Sequence, residues 1–183
     1  MLDTVIISGQ GGQGALLIGQ MLAYAGLDQG YEVSWMPSYG AEMRGGTANC
    51  AVSLSDKRIA TPIVKRPLCA LVMNTPSFDK FEPAVLPGGW LVVNSDMAEG
   101  RSERNDIQSF YLPADSTAER AGNPKGVNML MLGAYLALSN CLEPKSMEGV
   151  AANLFSGPKA RFLAGNLEMI RQGYELVRQE MTK

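Results

Sequence analysis

Val5-Ile6-Ile7-Ser8-Gly9-Gln10-Gly11-Gly12-Gln13-Gly14 is a short apolar run that breaks into four glycines before a helical pattern begins at Ala15. Val5 to Ile7 is β-branched, too short for a helix and typical of a strand buried on both faces, so the glycines fall where a first strand of a parallel sheet ends. Gly9, Gly11 and Gly14 fill the pattern G-x-G-x-x-G. In that pattern the first glycine permits a tight turn, the second lets backbone approach a bound group, and the third lets the helix pack close to the strand. Amides exposed at the start of the following helix attract an anion such as a phosphate. Gly9, Gln10, Gly11, Gly12, Gln13 and Gly14 are therefore the candidate cofactor-binding residues. The competing reading is a structural turn that uses glycine for positive φ or close packing and binds nothing. A dinucleotide site of the usual kind also needs an acid at the tip of the second strand. That strand is expected over Tyr31 to Met36 and runs into Pro37-Ser38-Tyr39, with Glu32 near its start, so the NAD reading lacks its ribose anchor.

The whole chain sets bounds around this turn. Its 183 residues suffice for one domain with a sizeable core, and one domain over 1–183 is expected. Hydrophobic residues at 46% and charged residues at 19% exclude a disordered chain. A net charge of −2 leaves no electrostatic footprint for nucleic acid. Strand residues begin within four positions of Met1 without a basic n-region, so no signal peptide is expected. The longest apolar run, Met129 to Leu138, contains Gly133 and is about half the length that spans a bilayer, so no membrane is expected and a cytoplasmic location follows. Histidine is absent, which removes the commonest general base and the commonest zinc ligand. Cys50, Cys69 and Cys141 form no C-x-x-C pair, so this chain alone is not expected to build a zinc site or an iron–sulfur cluster; no catalytic residue and no metal site are assigned. They read as small buried hydrophobes.

Leu16, Leu17, Met21, Leu22 and Ala25 recur at helical spacing through Leu27, with Gly30 as the stop. Thr47 to Ser55 reads as a strand in which Cys50, Val52 and Leu54 alternate against Ala51 and Ser53, and Arg58-Ile59-Ala60 after the turn at 55–57 as the return strand of a hairpin. Leu68 to Met73, Trp90 to Val93 and Ser109 to Leu112 read as further strands, with a short helical segment, Ser77 to Leu86, broken at Pro83. From Ala114 onward the patterns are helical. Val127 to Leu142 is apolar on nearly every face, with Asn128 as the polar exception in its first turn. From Pro158, Leu163, Leu167, Ile170, Tyr174, Val177 and Met181 form one stripe. The expected fold is α/β: a single-domain, Rossmann-like open sheet, mostly parallel, with right-handed crossovers, helices on both faces and a helical C-terminal segment.

A second motif lies between the second and third strands, Pro37-Ser38-Tyr39-Gly40-Ala41-Glu42-Met43-Arg44-Gly45-Gly46. By topology it leaves the carboxyl end of its strand beside the glycine turn, where open α/β sheets place ligands. Glu42 and Arg44 could pair at the surface, an interaction of about 0–1 kcal/mol. Alternatively Arg44 presents its planar fork to a carboxylate or phosphate while Gly45 and Gly46 let another backbone come close.

With both motifs in hand, the chain resembles the gamma subunit, or gamma domain, of the 2-oxoacid:ferredoxin oxidoreductases. The resemblance rests on Gly9 to Gly14, on Ser38 to Cys50, and on Asn128-Met129 followed by Leu132-Gly133, and it extends to roughly residue 175. The form YGAEMRGG looks most like subunits of the 2-oxoglutarate and branched-chain (ketoisovalerate) enzymes, with Ala41 where the family more often has proline. What the resemblance implies is a shared reaction: a 2-oxo acid, coenzyme A and oxidised ferredoxin become acyl-CoA, carbon dioxide and reduced ferredoxin. It implies thiamine diphosphate and Mg2+ held between alpha and beta subunits, iron–sulfur clusters that carry electrons out, and a ferredoxin-like delta subunit. In that setting this chain binds no cofactor alone and completes the assembly. Tyr39, Gly40, Glu42, Arg44, Gly45, Gly46 and Asn128 would face partner subunits, and the glycine turn a partner or the CoA channel; a homodimer is a further option. The alternatives are an indolepyruvate-type subunit, a small NAD(P)-dependent oxidoreductase, and a free-standing nucleotide-binding module.

Overall fold

The computed structural model describes residues 1–39, 47–139 and 141–182. β1 (Leu2–Gln10) is the centre of a six-stranded sheet with β2 (Glu32–Tyr39), β3 (Thr47–Ser55), β4 (Cys69–Val72), β5 (Trp90–Asn94) and β6 (Gln108–Leu112), in the order β2-β3-β1-β4-β5-β6. β1, β4, β5 and β6 are parallel neighbours, while β3 runs antiparallel to both β1 and β2. Val5 and Ile7 are fully buried on one face of β1 and Ile6 nearly so on the other, as a β-branched strand in mid-sheet requires.

The helices are α1 (Ala15–Asp28), α2 (Thr75–Phe81), α3 (Ala114–Arg120), α4 (Val127–Leu136), α5 (Ser146–Leu154) and α6 (Leu163–Met181). One face of the sheet carries the larger core, where Ile18, Met21 and Leu22 of α1 meet Val5, Val52 and Leu54 and the buried side chains of α3 to α6. On the other face Phe78 and Phe81 of α2 pack with Ile6, Val72, Leu91 and Val93. Helices thus lie on both faces of a mostly parallel sheet. At the end of α1 the Tyr31 amide donates to Gly26 O and the Gly30 amide to Leu27 O, with Gly30 at φ 81°, a Schellman stop. Among the described residues no helix is long and apolar enough to cross a membrane.

Several sequence expectations are corrected by tertiary context. The second strand does not end at Met36 but runs through Pro37 to Tyr39. It is an edge strand paired only with β3, where a missing proline N–H can face outward. Residues 58–60 form no return strand, because β3 is already flanked by β2 and β1 and offers no free edge. The helix expected to Leu142 stops at Leu136; Ser139 Oγ accepts from the amides of Cys141 and Leu142 and donates to the Asp3 carboxylate, which ties the chain after α4 to the start of β1. The terminal helix begins with a 3-10 turn, Gly157–Phe162. Its buried face is Asn166, Met169, Ile170, Gly173 and Val177, whereas Met181 at the end of the expected stripe is exposed.

α4 and α6 cross glycine on glycine. A Cβ placed on Gly133 would lie 1.9 Å from Ile170 O, and one on Gly173 would lie 1.9 Å from Leu130 O. Backbone meets backbone there.

Candidate functional site

The glycine turn sits at the carboxyl end of β1, and the sheet reverses its winding beside it. α1 leaves β1 for one face and α2 leaves β4 for the other, so the boundary between β1 and β4 is the switch point at which open α/β sheets bind ligands. Here the crevice is partly filled by Gln13. Its Oε1 accepts from the Gln10 amide at 2.6 Å and its Nε2 donates to Met73 O at 3.2 Å, while the Gln13 amide donates to Gln10 O at 3.0 Å. Gly9 makes room for this, since a Cβ at Gly9 would stand 2.6 Å from Gln13 Oε1. Gly9 therefore lies inside β1 and serves close packing, and the left-handed conformations fall on Gly12 and Gly14 at φ 102° and 81°.

The third glycine closes on a different partner from the strand that the motif suggests. A Cβ on Gly14 would lie 2.3 Å from Asn128 Nδ2 and 2.9 Å from its Cγ, so the first turn of α4 rests on the first turn of α1. Asn128 is buried; its Oδ1 accepts from the Met129 amide at 3.0 Å. The polar exception in an apolar helix is thus a neighbour of the turn. Sequence spacing does not relate position 14 to position 128.

Both helices start without a side-chain cap, from Gly14 and from Gly126, and neither carries an acid in its first turn. The first bond of α1 is the Ile18 amide to Gly14 O, which leaves the preceding amides of its first turn free of protein acceptors among the described residues. A cleft of about 240 Å³ opens over them, lined by Gln10, Gly11, Gly12, Gly14, Leu16 and Ala48. Uncapped N–H groups and the positive end of the helix dipole suit this cleft to an anion or to carbonyl oxygens of another chain.

Ala48 brings the second motif to the same place. Tyr39 pairs with Ala48, and Thr47 pairs with Gln10, so both anchors of segment 40–46 stand at the end of the sheet that holds the glycine turn. Gly40, Ala41, Glu42, Met43, Arg44, Gly45 and Gly46 themselves lie outside the described residues. β3 intervenes between β1 and β2, which sets the tip of β2 one further strand away from the turn, about 4.8 Å more than in a dinucleotide fold. Tyr39 stands at that tip, so the geometry as well as the residue type is unlike an NAD ribose site.

The cysteines do not fit a cluster. Cys50, Cys69 and Cys141 are buried and free, and among the described residues no group of three His, Cys, Asp or Glu side chains is placed to hold a metal ion. Burial pushes the Cys50 thiol up to about 11, against hydrogen bonds from Trp35 and the Gly19 backbone that lower it, and its Sγ lies 3.4 Å from Ala15 O. Burial also raises Cys69 and Cys141, with the Asp3 charge adding to the rise in both. A thiol held protonated is a poor ligand.

Against known proteins, residues 4–176 match the family described as pyruvate ferredoxin/flavodoxin oxidoreductase. The chain is 34% identical to ketoisovalerate oxidoreductase subunit VorA of Methanothermobacter thermautotrophicus over 97% of its own length, and spans 37% of that longer protein. It is 32% identical to the 2-oxoglutarate synthase subunit KorC of Methanocaldococcus jannaschii, over 98% of this chain and 96% of that one. The gamma subunit of a keto/oxoacid ferredoxin oxidoreductase from Geobacter sulfurreducens has the same fold, with a TM-score of 0.83 at 28% identity over 98% of both chains. The 2-oxoglutarate:ferredoxin oxidoreductase from Magnetococcus marinus, solved with 2-oxoglutarate, coenzyme A and succinyl-CoA bound, shares the fold with a TM-score of 0.86 at 23% identity, over 97% of this chain and 31% of that one.

Proposed function

The chain belongs to the pyruvate ferredoxin/flavodoxin oxidoreductase family, and on that premise we propose that it is the gamma subunit of a cytoplasmic 2-oxoacid:ferredoxin oxidoreductase. The assembly would convert a 2-oxo acid, coenzyme A and oxidised ferredoxin into acyl-CoA, carbon dioxide and reduced ferredoxin. Thiamine diphosphate and Mg2+ would be held by alpha and beta subunits and the clusters by a ferredoxin-like delta subunit, since the three cysteines of this chain are buried thiols one short of a four-cysteine cluster site. The relatives named for ketoisovalerate and 2-oxoglutarate point to a branched-chain or dicarboxylic 2-oxo acid.

The observation that carries the role of this chain is the convergence of two uncapped helix starts, α1 and α4, on one glycine turn beside the anchors of segment 40–46. Free amides in an open cleft suit contact with another molecule. In this reading the turn and segment 40–46 face the partner subunits and the bound coenzyme A, and the chain supplies positioning in place of catalytic groups.

Reconstitution tests it. The purified chain alone is expected to be colourless and without 2-oxoacid oxidation, and activity should appear only on mixing with the other subunits. Gly11→Val, which puts a branched side chain into the cleft, should leave the unfolding midpoint nearly unchanged and abolish either assembly or the coenzyme A response. A coloured, active preparation of this chain alone would overturn the proposal, as would full assembly and an unaltered coenzyme A response in the Gly11→Val complex.

A further inference from the structure

At the opposite end of the sheet, segment 56–68 crosses from β3 to β4 without helix or strand. It runs over the face of β1 and β3 opposite α1, and beneath it lies a cleft of about 370 Å³. Connections this long without secondary structure are uncommon and usually functional. Arg58, Lys65 and Arg66 line the cleft, and none of the three forms an ion pair among the described residues. Of the neighbouring acids, Asp56 pairs with the Met1 amino group and Asp106 is held by both Nε and Nη2 of Arg104 at 2.8 Å, while Glu32, opposite Ser55 on β2, forms no ion pair among the described residues. Arg66 reaches Asp106 through charge alone.

The floor supplies an independent sign. Ser53 pairs with Thr4 of β1 and Ser34 of β2, lines this cleft, and is only 3% exposed. Its hydroxyl has no hydrogen-bond partner among the described residues, whereas Thr4 Oγ1 accepts from the Leu68 amide and Ser55 Oγ accepts from the Lys57 amide. That hydroxyl opens onto the cleft and is free to donate to a group bound there. Ile59, Ile63 and Val64 form an apolar wall beside the cations, with Ile63 57% exposed.

We propose that this cleft is a binding site for a phosphate-bearing small molecule, held by Arg58, Lys65 and Arg66 with the Ser53 hydroxyl donating from the floor and the organic part against Ile59 and Ile63. Three cations exceed what one carboxylate can satisfy, while a phosphate ester brings close to two charges and three acceptor oxygens. The volume lies in the range of small-molecule sites. The site is separate from the glycine turn, because Thr4 and Gly9 lie five residues apart along β1, about 16 Å.

Titration calorimetry and thermal unfolding of the purified full chain test this at low salt, with ADP and inorganic pyrophosphate as probes and succinate as the carboxylate control. ADP and pyrophosphate should bind and raise the unfolding midpoint, and succinate should not. The double variant Arg58→Ala/Arg66→Ala should weaken ADP binding roughly tenfold or more. Ser53→Ala should weaken it severalfold without lowering the midpoint of the free chain, because no protein hydrogen bond is lost. Lys159→Ala/Arg161→Ala, on the 3-10 turn before α6, should bind as wild type, and so should Gly11→Val, which separates this site from the proposed role of the turn. No binding of either probe at millimolar concentration, equal binding by the double variant, or succinate bound as tightly as pyrophosphate would each overturn the proposal.

Discussion

Gly14 and Asn128 form the most informative pair of residues in the molecule. Gly14 is left-handed, at φ 81°, and the space beyond its Cα is filled by the Asn128 amide. Gly14→Ala should therefore lose about 1–2 kcal/mol from backbone strain and about 1–3 kcal/mol more from overpacking against Asn128. The two parts separate in a double-mutant cycle: Asn128→Ala on the Gly14→Ala background should restore the second part and leave the first, as read from urea unfolding. Additive losses would show that the two side chains do not meet. Arg44 is the second residue of interest, and its expected behaviour follows from sequence and from the placement of its segment's anchors. Paired only with Glu42 at a surface, it would contribute at most about 1 kcal/mol. Paired with a partner carboxylate or a coenzyme A phosphate, its truncation should cost about 2–5 kcal/mol of association. Arg44→Lys should not rescue, because a point charge cannot replace the bidentate fork. Association of both variants with the remaining subunits is the measurement, and wild-type assembly by Arg44→Ala would leave the local pair as the better account.

Among the elements, α4 and α6 depend on each other most closely. Their crossing brings Gly133 against Ile170 O and Gly173 against Leu130 O at distances no side chain tolerates. The obstacle is backbone, which cannot rotate away. Gly133→Ala or Gly173→Ala should force the helices apart and destabilise the chain by about 3 kcal/mol, at the upper end of ordinary overpacking. Exposed Gly149 in α5, where an added Cβ meets nothing within 4 Å, is the control and should tolerate alanine or gain slightly. Urea midpoints of the three variants decide it; an undisturbed Gly133→Ala would show that the crossing is looser than described. Because the first turn of α4 also rests on Gly14, a shift of α4 should reach the glycine turn, and Gly133→Ala should impair assembly as well as stability.

For the whole molecule, the buried thiols set an alkaline limit. The Cys50 thiol rises from an ordinary 9.0 to about 11 in the fold, and Cys69 and Cys141 move the same way. Between these values the unfolded chain has lost protons that the folded chain still holds, so stability is full below pH 9 and falls as pH rises toward 11. For Cys50 the loss amounts to about 2–3 kcal/mol. Unfolding free energies at pH 8, 9, 10 and 11 should decline, and Cys50→Ala should decline less steeply while starting lower from the missing volume. Equal slopes in both chains would remove Cys50 from the account.

Local pattern alone determined the strand-glycine-helix unit at Val5 to Ala25, the full extent of β3 with Cys50, Val52 and Leu54 on its core face, and a mostly parallel α/β class. Each of these depends on how one element divides its own residues between core and surface, at spacings of two or of three and four, which a sequence displays directly. Tertiary structure alone decided which elements became neighbours: β3 placed between β1 and β2, Gln13 across the crevice beside β4, Asn128 on Gly14, and Gly133 on Gly173. Those pairs are separated by tens of residues or more, and no local spacing records them, because they form only when the whole chain closes around one core.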